Sequence, residues 1–194
     1  MVMKSHMNSS VVPCTLVGDG MVGKTSLALA FTNNQTPDEN YVATVFDNYA
    51  GNVSVHGEQY TISIFDSPGQ HDYQSVRAYS YLDSEVIIVC YSVVDRDTLE
   101  NVRDVWIPET TTQTKRKKPI ILIGCQTDIR IPNNESHVTY DEGCNIAKAI
   151  GADAFIECSS ASMTGISDVF QTVVKVVLKS RKKKSNIFNR LLRR

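Results

Sequence analysis

Eight consecutive residues, Gly18-Asp19-Gly20-Met21-Val22-Gly23-Lys24-Thr25, fit the pattern G-x-x-x-x-G-K-[ST]. Glycines at this spacing let successive backbone N–H groups turn inward around an anion. Lys24 adds a cation for the outer phosphates of a nucleotide, and the Thr25 hydroxyl is a suitable Mg²⁺ ligand. An apolar run, Val11–Val17, precedes the loop, and residues 24–31 read as a helix whose N-terminal dipole favours phosphate. A glycine-rich turn that binds nothing is the plain alternative; the Gly-Lys-Thr ending between a strand and a helix weighs against it.

Three other stretches could complete such a site. In Asp66-Ser67-Pro68-Gly69-Gln70 the aspartate, glycine and glutamine are spaced as a sensor of a third phosphate would need. Pro68 interrupts it, yet proline removes only its own N–H and biases Ser67 toward extended backbone. The Gly69 amide survives, so the device is expected to work. In Gly124-Cys125-Gln126-Thr127-Asp128, the aspartate could accept two hydrogen bonds from guanine N1–H and N2–H₂, which adenine cannot offer; a loop aspartate can equally be a turn former. In Glu157-Cys158-Ser159-Ser160-Ala161 small side chains would let backbone amides reach a base carbonyl.

The elements that must position these groups alternate. Residues 49–55 and 59–65 read as a hairpin across His56-Gly57-Glu58. Residues 85–93 and 119–123 are continuous apolar runs, as parallel strands covered on both faces require. Residues 97–106, 140–150 and 166–179 are helix candidates, and 154–158 is the last strand. This order predicts a doubly wound α/β fold with a mostly parallel sheet and helices on both faces. Every candidate segment falls after a strand, where such sheets bind ligands.

At 194 residues, with 42% hydrophobic and 21% charged residues, the chain suits one globular domain. Five cysteines without a CxxC pair predict free thiols rather than a disulfide or zinc framework. Residues 1–10 are expected to be a disordered leader, 11–180 the folded domain and 181–194 a basic amphipathic tail. That tail, RKKKSNIFNRLLRR, holds seven of the twenty Lys and Arg and no acid; removing it leaves 13 basic against 21 acidic residues, a body of −8. An acidic body argues against nucleic acid as a partner, while the tail suits an anionic membrane surface.

Taken together, GDGMVGKTSL, YVATVFDNY, the DxxGQ segment, ENVRDVWIPE and ECSS, in this order, resemble a Rho/Rac-type small GTPase of the Ras superfamily over residues 11–180. The resemblance implies a single P-loop domain with a six-stranded sheet, GTP and GDP as substrate and product, and Mg²⁺ as cofactor. It implies that Asp19, Gly20, Met21, Val22, Gly23, Lys24, Thr25 and Ser26 cradle phosphates. Thr25 and Thr44 would ligate Mg²⁺, with Asp66 orienting a water on it. The amides of Thr44 and Gly69 would meet the γ-phosphate, and Gln70 would position the attacking water. Tyr41, Gln126, Asp128, Ser159, Ser160 and Ala161 complete the implied nucleotide contacts. Effectors would bind residues 45–49, from Val45 to Tyr49, and an exchange factor, a GTPase-activating protein and a GDP-dissociation inhibitor are implied partners. So are signalling to the actin cytoskeleton and a cytoplasmic location with peripheral attachment to the plasma membrane.

Against that family the chain departs in several places. No aromatic stands near the start of the first switch, which predicts faster spontaneous nucleotide exchange. Gln126 replaces a lysine, and the twelve residues 131–142 are too few for the usual insert helix. No cysteine follows Cys158, so lipidation cannot be read from the sequence. A hydrolysis-deficient or fast-cycling scaffold is the other functional reading.

Overall fold

Alternation of side chains along the apolar runs assigns them to two faces of one sheet. In β4 (Val86–Ser92), Val86, Ile88 and Cys90 join one buried cluster, and Ile87, Val89 and Tyr91 join another. The computed structural model describes residues 10–34, 36, 47–70, 73–114 and 117–191. Tyr41, Thr44, Val45 and Phe46, and the tail from 192 on, lie outside the described residues, as does the expected leader except for Ser10.

Six strands form one sheet in the order β2-β3-β1-β4-β5-β6. These are β1 (Val11–Val17), β2 (Asp47–Val55), β3 (Glu58–Asp66), β4, β5 (Ile120–Cys125) and β6 (Ala154–Glu157). Only β2 runs antiparallel, paired with β3 through the His56-Gly57 turn. Both turn residues have positive φ, 54° and 81°, the type I′ geometry that matches the twist of a two-residue hairpin. The first cluster lies under α1 (Lys24–Asn33) and α6 (Ile166–Leu191), where the Phe31 and Phe170 rings stack at 3.8 Å. The second lies under α2 (Gln74–Asp83), α3 (Arg96–Asn101) and α5 (Tyr140–Ile150). All five cysteines are free thiols, four of them buried.

Three features extend the sequence reading. α2 is a helix that hydrophobic periodicity does not reveal, because its buried residues are Arg77, Ser80 and Tyr81. The helix read over 97–106 does not end there: α3 leads into a π-helical turn (Val102–Trp106) and then α4 (Ile107–Gln113). α6 continues past residue 180, so the basic segment starts inside a helix. Arg181 forms an ion pair with Glu85 and donates to the Val11 carbonyl at 2.8 Å, which locks that turn to the sheet. Between the 3₁₀ turn (Thr127–Ile129) and α5 the chain makes only turns, and Thr139 with Glu142 forms a capping box that starts α5.

Candidate nucleotide site

β1 ends against a backbone that forces a glycine. Gly18 has φ +139°, and a Cβ there would stand 2.1 Å from the Cys90 carbonyl oxygen. Gly23, at φ 98°, caps α1 and turns the loop into the helix. Met21 also has positive φ, 63°, and its side chain is exposed at the mouth of the loop. Val22 is buried and anchors the loop beneath, while Ser26 is half-buried in the first turn of α1.

Lys24 is buried and donates to the carbonyls of Gly18 (2.9 Å) and Asp19 (2.6 Å). An ammonium has three N–H donors, so one remains for a phosphate oxygen. Burial pushes the Lys24 pKa down, opposed by the nearby Cys90 and Asp66. A buried cation short of a partner is a site primed for an anion.

Thr25 Oγ1 donates to Asp66 Oδ2 at 2.5 Å. Asp66 Oδ1 is buried and has no hydrogen-bond partner among the described residues. Burial raises the Asp66 pKa, with the Thr25 hydrogen bond and the Lys24 charge opposing. An orphaned carboxylate oxygen beside a hydroxyl is what the coordinated water of a hard cation would satisfy, so Thr25 and Asp66 fit Mg²⁺.

The Asp66–Gln70 segment folds against the loop. Ser67 donates to the Leu16 carbonyl, and Gly69 packs so closely that a Cβ would lie 2.4 Å from the Gly20 nitrogen. Pro68 is buried, and its carbonyl accepts from Arg77 Nη1 at 2.9 Å. Its missing N–H therefore costs nothing that the segment uses. Gln70 is exposed, with its carbonyl also held by Arg77, at 2.6 Å.

At the ends of β5 and β6 the base-side residues converge. Asp128 Oδ1 accepts from Ser159 Oγ at 2.5 Å, which aims the carboxylate. Ser159 is buried, Ser160 half-buried and Ala161 exposed on the turn beyond. Gln126, at φ 65°, accepts from Ser92 Oγ and donates from Nε2 to the Met21 carbonyl at 3.1 Å. It thereby ties the base side to the phosphate loop. The Ras family profile matches residues 13–179 of this chain.

The chain belongs to the Ras family. It is 40% identical over 163 residues to the Ras-like GTP-binding protein RhoL of Drosophila melanogaster, covering 84% of this chain and 85% of that relative. A Ras-family small GTPase binds GTP and GDP and hydrolyses GTP, and this domain carries the six-stranded, mostly parallel sheet of that class.

Within this Ras-family domain several site contacts escaped sequence reasoning. The Asp19 carboxylate points away from the loop's inner face and accepts from Trp106 Nε1 (2.9 Å) and Asn101 Nδ2 (2.8 Å). Arg77, fully buried, forms a bidentate pair with Glu109 and lies 5.0 Å over the Trp106 ring. Tyr81 donates to the same carboxylate at 2.5 Å. Asn101, Trp106 and Glu109 all belong to the ENVRDVWIPE segment, so the signal was in that motif, but its meaning depended on contacts 28 to 87 residues away.

Proposed function

We propose that this chain is a Rho-type GTPase. It binds GTP with Mg²⁺ held by Thr25 and Thr44 and by a water on Asp66, hydrolyses GTP to GDP and phosphate, and engages effectors in the GTP form. The observation that carries the reading is the pair of opposed devices at one end of the sheet. A buried ammonium with a donor to spare stands at the β1–α1 turn, and a carboxylate aimed by Ser159 stands beyond β5. The first suits a polyphosphate; the second suits a purine that carries two adjacent N–H donors.

In the proposed reaction a water aligned by Gln70 attacks the γ-phosphorus. The bond from that phosphorus to the β–γ bridging oxygen breaks, GDP departs and the water's proton ends on the released phosphate. Lys24, the loop amides and the Gly69 amide stabilise the charge that develops on the phosphoryl oxygens, and Mg²⁺ would neutralise charge on the same oxygens. Arg77 is held by Glu109 and two carbonyls, and both terminal nitrogens of Arg130 are held by Glu157. Neither is available to the γ-phosphate, which supports an arginine supplied by an activating protein. Exchange factors and a GDP-dissociation inhibitor are the other regulators of this reading.

The Rho-type assignment draws on the RhoL relative and on the ENVRDVWIPE residues that grip the phosphate loop. Effectors would dock on residues 45–49, whose last three begin the edge strand β2, with output to the actin cytoskeleton.

Calorimetry on the purified chain tests the base reading. GTP and GDP are expected to bind and ATP not to, and Asp128→Ala should weaken GDP at least about a hundredfold, as expected for a site built to pair with a substrate N–H. Equal heats for guanosine and adenosine nucleotides would end it.

We place the protein in the cytoplasm, peripherally attached to the plasma membrane through residues 181–194. Lys182, Lys183 and Lys184 are exposed on α6, and Ile187 is 60% exposed one turn on. Lys118 donates to the Ser84 carbonyl and Arg181 pairs with neighbouring Glu85, so these two cations lie at the same end of the sheet. Vesicle co-sedimentation should rise with phosphatidylserine content and fall with salt, and reversing the charges of Lys182–Lys184 should abolish it. Binding indifferent to phosphatidylserine contradicts the membrane assignment.

A further inference from the structure

The contacts around Asp19 and Arg77 close into a ring. From the phosphate loop, the Asp19 carboxylate takes the Trp106 N–H at 2.9 Å. The Trp106 ring, wholly buried, carries the Arg77 guanidinium at 5.0 Å. Arg77 Nη1 holds the carbonyls of Pro68 and Gln70, the residues on either side of Gly69. Gly69 packs back onto Asp19 and Gly20, where a Cβ would find the Gly20 nitrogen at 2.4 Å. The ring thus has two independent arms between the phosphate loop and the 68–70 segment: a backbone contact at Gly69, and a side-chain path through Trp106.

We propose that Trp106 is a positioning residue that sets the spacing between the phosphate loop and the Gly69–Gln70 segment. The inference rests on the reading of Gly69 and Gln70 as the groups that meet the third phosphate. Its physical basis is that each link in the side-chain path is short and at least partly buried. A charge-assisted hydrogen bond fixes Trp106 to the loop, and a buried cation–π contact fixes Arg77 to Trp106. The π-helical turn is what brings Trp106 and Asn101 onto the same carboxylate, and such turns commonly mark functional positions. Asn101 supplies the comparison. It donates to the same carboxylate at 2.8 Å, but no hydrogen bond or ring contact joins it to Arg77 among the described residues. Both residues turn the carboxylate away from the phosphates; only Trp106 also bears on the 68–70 segment.

Two variants separate these roles. Trp106→Phe keeps a ring beneath Arg77 but removes the donor to Asp19, whereas Asn101→Ala removes the other donor and leaves the path intact. Single-turnover GTP hydrolysis should fall about tenfold in Trp106→Phe, the scale of one hydrogen bond to a charged group, and less than about twofold in Asn101→Ala. Nucleotide release should quicken to a similar extent in both, since each leaves the carboxylate with one donor fewer. Equal hydrolysis rates in the two variants would overturn the proposal, as would a Trp106→Phe protein that hydrolyses at the parental rate. A second readout does not depend on turnover. Trp106 is the only tryptophan, so its emission should change when GDP is replaced by a non-hydrolysable GTP analogue, and Asp19→Ala should erase that change. Identical emission in the two nucleotide states sinks the coupling. A parental protein that responds in emission yet hydrolyses nothing would instead remove the catalytic reading of Gln70 and leave Trp106 in its place.

Discussion

Gly18→Ala is expected to lower the melting temperature by roughly ten degrees or more, whereas Gly20→Ala, two residues away, should melt within a degree or two of the parent. The added methyl at Gly18 would sit 2.1 Å from the Cys90 carbonyl oxygen and 3.1 Å from its carbon, at a φ of +139° that an L side chain rarely adopts. The obstructing atoms are backbone of β4, paired with β1 on one side and β5 on the other, so they cannot retreat without breaking the ladder. Overpacking and backbone strain add here, and a loss of about 4 kcal/mol or more is expected, a large share of the stability of an ordinary domain. At Gly20 nothing lies within 4 Å of the added methyl. Thermal melts of the two variants by circular dichroism in saturating GDP decide it. If the Gly18 variant melts with the parent, β4 yields where the packing says it cannot.

The phosphate loop was legible in sequence because everything that defines it is local. Glycines that need unusual φ, a lysine that reaches back to the carbonyls of Gly18 and Asp19, and a threonine at the first helical turn all lie within eight residues. The parallel strands were legible for a related reason: buried on both faces, they read as unbroken apolar runs. α2 was not, because its inward face is polar. Arg77 is buried only because Glu109, 32 residues on, neutralises it, and no periodicity encodes that partner. Trp106 was readable as a family signature but not as a hydrogen-bond donor to Asp19, 87 residues earlier. The tail is a different case. Its charge marks it off along the chain, and α6 runs on into it, with Glu85 and the Val11 carbonyl holding Arg181. Local chemistry can be read along the chain; pairings that cancel buried charge need the fold.

Lys24→Met should move stability and affinity in opposite directions. Lys24 is 6% exposed, and burial lowers its pKa despite the opposing influence of Cys90 and Asp66, so the charged form is held at a cost. Methionine keeps a four-atom unbranched stem and removes the ammonium. The lost hydrogen bonds to the Gly18 and Asp19 carbonyls offset part of this gain, and the net expectation is a modest rise in the melting temperature of the empty protein. With nucleotide the balance reverses, because a phosphate oxygen is the partner that makes a buried cation favourable. Losing that pairing should weaken GTP by roughly two to three orders of magnitude, the scale of one or two charge-assisted hydrogen bonds in a shielded site. A phosphate beside Lys24 also raises its pKa back toward the ordinary value. Affinity for nucleotide should therefore decline as pH rises through the lowered pKa of the empty loop, and Lys24→Met should abolish that alkaline decline. Melts without nucleotide and calorimetry across alkaline pH measure both halves. A variant that loses affinity and empty-state stability together would mean that the loop is held by its lysine rather than strained by it.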